Sequence, residues 1–120
     1  MPGSFCVSIT SSKDNTAKAT VGFAMANAAV VAKKDTMVFL SIDGVCLSQK
    51  GYAEGIHEQE FPPLKDLISS FTKAGGKIYV CSSCFKQRAL AENNLVEGAT
   101  IVSGAKLIEF LGGGAPCITY

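Results

Sequence analysis

Lys77-Ile78-Tyr79-Val80-Cys81-Ser82-Ser83-Cys84-Phe85 is a β-prone apolar run that ends in a C-x-x-C and passes directly into helix-forming residues. Lys77 to Val80 reads as a strand, and Ser82 to about Asn94 as the helix that follows it. A thiol at such a junction lies at a helix N-terminus. Unpaired N–H groups and the positive end of the helix dipole favour thiolate there. Thiolate is the form that attacks disulfides, accepts sulfur or binds soft metals.

Working outward, Gly75-Gly76 stops a helix that Pro62-Pro63 opens, with Leu64, Leu67, Ile68 and Phe71 on one face. Before it, Thr36 to Ile42 is an almost unbroken apolar run, which suits a strand buried on both faces of a parallel sheet. Asp43-Gly44 marks a turn at its end. Phe5 to Ile9 is a first strand. Asn15 to about Lys33 is a helix, with Ala17, Val21, Ala24, Met25, Ala28 and Val31 spaced by three and four, and Asp14 or Asn15 caps it. After the C-x-x-C, Thr100 to Ser103 is a strand, Gly104 to Leu111 a helix stopped by Gly112-Gly113-Gly114, and Ala115 to Tyr120 a last strand.

This alternation predicts an α/β fold: a three-layer α/β/α sandwich around a mainly parallel five-stranded sheet, with helices on both faces. At 120 residues the chain is expected to be one domain, residues 1–120. Val45 to Glu60 is long for a plain connection, a length associated with functional loops and interfaces.

Composition narrows the function. The chain is 48% hydrophobic and only 18% charged, which points to some apolar face being covered by another subunit. A net charge of +1 without a Lys/Arg cluster gives nucleic acid no footprint. No run reaches the roughly 18 apolar residues of a membrane span. Met1-Pro2-Gly3-Ser4 lacks the basic start and apolar core of a signal peptide, so the cytoplasm is the expected compartment. Five cysteines, an odd number, argue against a disulfide framework. Cys6 and Cys117, in apolar strands, read as small buried hydrophobes.

In open α/β sheets ligands bind beyond the carboxyl ends of the strands. Those ends carry Ser11-Ser12-Lys13, Asp43-Gly44-Val45-Cys46, Cys81-Ser82-Ser83-Cys84 and Ser103-Gly104, so Cys46, Cys81 and Cys84 share one edge. The C-x-x-C is then a dithiol redox pair, a sulfur-accepting Cys81 with an auxiliary Cys84, or simple packing at a strand end. A zinc site would need a second C-x-x-C, and only the lone His57 is on offer, so neither metal nor cofactor is expected. His57 is an acid or base for the same edge or a solvated loop residue. Tyr52, Glu58 and Glu60 read as loop surface or subunit contact. Asp43-Gly44 is a turn first and a ligand contact second.

The order of elements, Asp43-Gly44-Val45 and the stretch GGKIYVCSSCFKQRALAENNLVEGATIVSGAKLIEFL resemble the DsrE/DsrF-like family of small sulfur-relay proteins over almost the whole chain. The most telling part is a strand-end cysteine, an arginine seven residues on, and the LVEGATIVSGAKLIEFL unit. The resemblance implies a sulfur carrier or sulfurtransferase-type protein, with a persulfide on Cys81 and Arg88 as the basic residue of the following helix. It also implies sulfur donor and acceptor proteins as partners, and a homotrimer or homohexamer with the segment from Val45 to Glu60 at the contact. Two departures stand out. Ala89 replaces the glycine that often follows the arginine, a mild change inside a helix, and Cys84 is an addition to the single-cysteine pattern. A dithiol oxidoreductase using Cys81 and Cys84, and a non-catalytic oligomeric subunit of a relay complex, are the alternatives.

Overall fold

Thr36 to Leu40 are all buried, so the strand they form needs cover on both faces. In the computed structural model, which describes residues 3–120, this strand is β2 (Asp35–Leu40). It is the centre of a sheet with β1 (Ser4–Ile9), β3 (Lys77–Cys81), β4 (Ala99–Val102) and β5 (Cys117–Thr119). The order is β4-β3-β2-β1-β5, and every neighbouring pair is parallel. The helices are α1 (Thr16–Val31), α2 (Leu64–Lys73), α3 (Ser82–Gln87) and α4 (Gly104–Gly112).

The chain steps outward from β1 to β4 and then returns past the whole sheet to β5. Right-handed crossovers therefore put the outward helices on one face and α4 on the other. On the first face Phe23 of α1 meets Phe71 of α2 edge to face, ring centroids 6.0 Å apart, over Val7, Val38 and Ile78. On the second face Leu107, Phe110 and Leu111 pack on Cys6, Met37 and Phe39. The second layer is thin: α4 has no fully buried residue, and Ile108 is 69% exposed.

The face expected for α2 is the one observed, with Leu64, Leu67, Ile68 and Phe71 all buried. The face expected for α1 is not. Ala19, Thr20, Gly22, Phe23 and Ala26 are buried, while Val31 is 74% exposed. Alanine surrounds this helix, so the spacing of small apolar residues singles out no side. Its one aromatic, Phe23, does. Gly22 brings the helix against the sheet, since a Cβ there would stand 2.7 Å from Ile9 Cδ1.

The second strand ends at Leu40 rather than Ile42. Ile42 has φ 56° and opens a 3-10 helix, Ile42–Ser48, a rare conformation for a β-branched residue. Its cause is the neighbour two positions on. Gly44 sits so close to β1 that a Cβ would stand 2.1 Å from the Ile9 carbonyl oxygen. The expected long loop therefore begins as helix and packs inward: Val45, Leu47, Ala53 and Ile56 are buried in the chain's own core.

The third helix is half the expected length. Ala89 N–H donates to Lys86 O (3.0 Å) and Leu90 N–H to Phe85 O (3.3 Å), the paired bonds of a Schellman closure. Ala89 occupies its left-handed position, φ 52°, and a separate 3-10 turn, Glu92–Asn94, follows. The alanine is thus not within a helix but at the stop, where glycine is the unstrained choice.

Ala89→Gly is accordingly expected to stabilise the fold by about 0.5–1 kcal/mol. A left-handed L-residue costs roughly 1–2 kcal/mol, and the extra unfolded-chain freedom of glycine takes back roughly 0.4–1 kcal/mol. Urea unfolding should show a higher midpoint at unchanged slope. A lower midpoint would mean that the site holds alanine without strain.

Candidate functional site

β2 and β3 are hydrogen-bonded neighbours, Leu40 opposite Val80, so the residues that follow each strand emerge side by side. After β2 comes the 3-10 helix with Asp43 and Cys46. After β3 come Cys81 and α3. Cys81 is both the last residue of β3 and the N-cap of α3 (φ −62°, ψ 117°), without a side-chain capping bond. It is half-buried and touches apolar groups belonging to both faces of the sheet. Cys84 and Cys46 are likewise half-buried, and all five thiols are free. With α3 only six residues long, the extended helix dipole expected behind Cys81 is cut short.

Arg88 closes α3 and reaches across to the 3-10 helix. Its Nε and Nη2 both donate to Asp43 Oδ1, at 3.1 and 2.9 Å. Its Nη1 donates to the Cys84 carbonyl (3.3 Å) and to Gln87 Oε1 (3.2 Å). The hydrogen bond to Asp43 pushes the Arg88 pKa up, burial opposes that, and the charges of Asp43, Cys84 and Cys46 add to it. Arg88 and Asp43 thus join the two segments, one carrying Cys46 and the other Cys81 and Cys84.

A second set of contacts, without a signal in the sequence, ties the same two segments together further on. Lys50 N–H donates to Asn94 O (2.9 Å) and Val96 N–H to Ser48 O (2.7 Å). The Gln49 amide both donates to Ala91 O and accepts from Ala91 N–H. Glutamine at 49 looks like any loop residue until its partner is known.

His57 serves its own loop. Its Nε2 lies 2.7 Å from Phe61 O on an exposed turn. Tyr52 and Glu58, read as surface or subunit contact, anchor their segment to the start of α1. The Tyr52 and Ser12 hydroxyls are 3.0 Å apart, Lys13 Nζ sits 4.5 Å from the Tyr52 ring centre, and Thr16 Oγ1 donates to Glu58 at 2.6 Å. Among the described residues no three of His, Cys, Asp and Glu are grouped to hold a metal ion.

The strand order reverses between β1 and β5, the place where open α/β sheets usually part to admit ligands. Here Thr10 closes it, donating through both N–H (2.8 Å) and Oγ1 (2.9 Å) to Tyr120 O. An apolar groove of about 240 Å³ lined by Phe5, Met25, Ala28, Ala29, Ala32 and Lys34 lies at the opposite end of the strands from the thiols.

The model of the DsrE/DsrF-like family matches residues 3–120. The chain belongs to that family. Members of the DsrE-like family generally act in sulfur relay. Among relatives, the uncharacterized protein MJ0760 of Methanocaldococcus jannaschii is 33% identical over 102 residues, 85% of this chain. The chain spans 37% of that protein's length. The YchN protein from E. coli has a TM-score of 0.71 at 16% identity, covering 98% of this chain and 99% of its own. The protein of unknown function MTH1491 from Methanobacterium thermoautotrophicum has a TM-score of 0.70 at 13% identity, covering 100% of both chains. At those identities the two structures share the fold of this DsrE-like chain, a parallel sheet between helical layers. No helix of the described residues is long and apolar enough to cross a membrane.

The remaining two cysteines differ from each other. Cys6 is fully buried, as expected, its Sγ 3.8 Å from Met37 Sδ, whereas Cys117 on the edge strand β5 is exposed rather than core. Burial first, and then Cys117 in register beside it, push the Cys6 thiol above its ordinary 9.0. Above about pH 9 the unfolded chain loses this proton while the folded chain keeps it, so the contribution is intact below that pH and lost as pH rises. Denaturant titrations of Cys6→Ala above that pH should show a shallower decline of stability than wild type. Equal slopes would remove Cys6 as the cause.

Proposed function

We propose that the chain relays sulfur as a persulfide on Cys81, taking it from a donor protein and passing it to an acceptor protein. One observation carries this reading: a free, half-buried thiol stands at the carboxyl end of a central parallel strand, in a chain of the DsrE/DsrF-like family. The Cys81 thiolate attacks the outer sulfur of the donor persulfide. A bond forms between Cys81 Sγ and that sulfur, the donor S–S bond breaks, and the donor leaves as thiolate. The acceptor thiolate then attacks the same outer sulfur and releases the Cys81 thiolate. Sulfur moves without net oxidation, and the protons stay with the thiols.

Arg88, held by Asp43 at the far end of the short helix that Cys81 begins, is the basic residue of this site. On this reading residues 1–120 act as one domain in the reducing cytoplasm, where five free thiols persist.

Self-association into a trimer or hexamer is part of the proposal. The segment from Val45 to Glu60 turns its apolar residues inward, so support for a contact comes instead from the thin α4 layer and exposed Ile108. Sedimentation should give a trimer or hexamer, and Ile108→Glu a smaller species. A monomeric wild type would remove self-association from the reading.

Incubating the reduced protein with a small persulfide donor should add the mass of one sulfur atom, mapped to the peptide containing Cys81. Cys81→Ser should abolish the gain. A gain that survives this substitution would overturn the assignment to Cys81.

A further inference from the structure

Asp43 and Cys46 are three residues apart on a 3-10 helix, which turns once in three residues, so their side chains leave from the same side. Cys84 and Arg88 are four apart along α3 and its cap, also on one side, where Arg88 Nη1 reaches the Cys84 carbonyl. The Arg88–Asp43 ion pair at 2.9 Å joins these two sides. It therefore brings Cys46 and Cys84 toward one another across the boundary between the helices. The charges of Cys84 and Cys46 add to that of Asp43 in holding the Arg88 pKa up. The bonds from Ser48, Gln49 and Lys50 to residues 91–96 keep the two segments from sliding apart. Cys81 ends the strand and packs against apolar side chains of both faces of the sheet, Cys84 against those of one face only.

We propose that Cys46 and Cys84, flanking the Arg88–Asp43 pair, are a second thiol site of this protein, a dithiol that closes by exchange with a low-molecular-weight disulfide. The partner of Cys84 is then Cys46, on the segment after β2, not its C-x-x-C neighbour. The Cys84 thiolate attacks one sulfur of the small disulfide, forming a mixed disulfide and expelling one small thiolate. The Cys46 thiolate attacks Cys84 Sγ, forming the Cys46–Cys84 bond and expelling the second. Two protein thiols are oxidised by two electrons, the small disulfide is reduced to two thiols, and the two protein protons end on them. The closed bond pins α3, with Cys81 at its start, to the end of β2. The proposal stands whether or not Cys81 carries sulfur.

The test is to expose the reduced full-length protein to oxidised glutathione, block the remaining thiols and map the linked peptides by mass. The expected product has lost two hydrogens and joins the peptides of Cys46 and Cys84. It should form equally in Cys81→Ser. In Cys46→Ser it should be replaced by a stable glutathione adduct on Cys84, which also reports that this variant is folded and reactive. Arg88→Gln, which removes the ion pair joining the two segments, should slow closure. A Cys81–Cys84 link, closure in Cys46→Ser, or no closure in the wild type would each overturn the proposal.

Discussion

The two-sided burial of β2 constrains everything around it. A strand with Thr36 to Leu40 all inside must have neighbours on both edges and cover on both faces. Parallel pairing with helical crossovers supplies both at once. Parallel strands also share a direction, so whatever follows β2 and β3 emerges at the same edge. Two short sequence segments, one around Asp43 and one around Cys81, become neighbours as a result of core packing rather than of any attraction between them.

What fixes their mutual geometry is smaller in energy. The Arg88–Asp43 pair is partly solvated, with 24% and 43% of the side chains exposed, so it adds little to stability. Its importance is positional. It joins the segment after β2 to the segment after β3, while the close approach of Gly44 to the Ile9 carbonyl sets where the carboxylate stands. The left-handed backbone of Ile42 is the local cost of placing it there.

Much of this could be read from the residues alone, for identifiable reasons. The order of strands and helices, the inward face of α2 and the cysteines at one edge rest on strong periodicity and on glycine and proline punctuation. The face of α1 was illegible because alanine is apolar all round, and Phe23 alone settled it. The length of α3 was illegible because its stop is an alanine in a glycine's conformation. The approach of Asp43 to Arg88, the clasp of Gln49 on Ala91 and the exposure of Cys117 depend on partners distant in sequence, which propensity does not encode.

The pairing of β1 with β5 has a bearing on how the molecule assembles. It joins Cys6 to Cys117, on the first and last strands of the sheet in chain order, through a ladder of three residue pairs. The β1-α1-β2 unit can close from local contacts, but this last ladder has to enclose all the residues between Cys6 and Cys117, the largest loop-closure entropy in the sheet for the smallest gain. Until it forms, the edge of β1 that β5 will occupy presents unpaired N–H and C=O groups. A newly made chain therefore carries an adhesive strand edge through most of folding, and the period before β5 docks is when it is most exposed to aggregation.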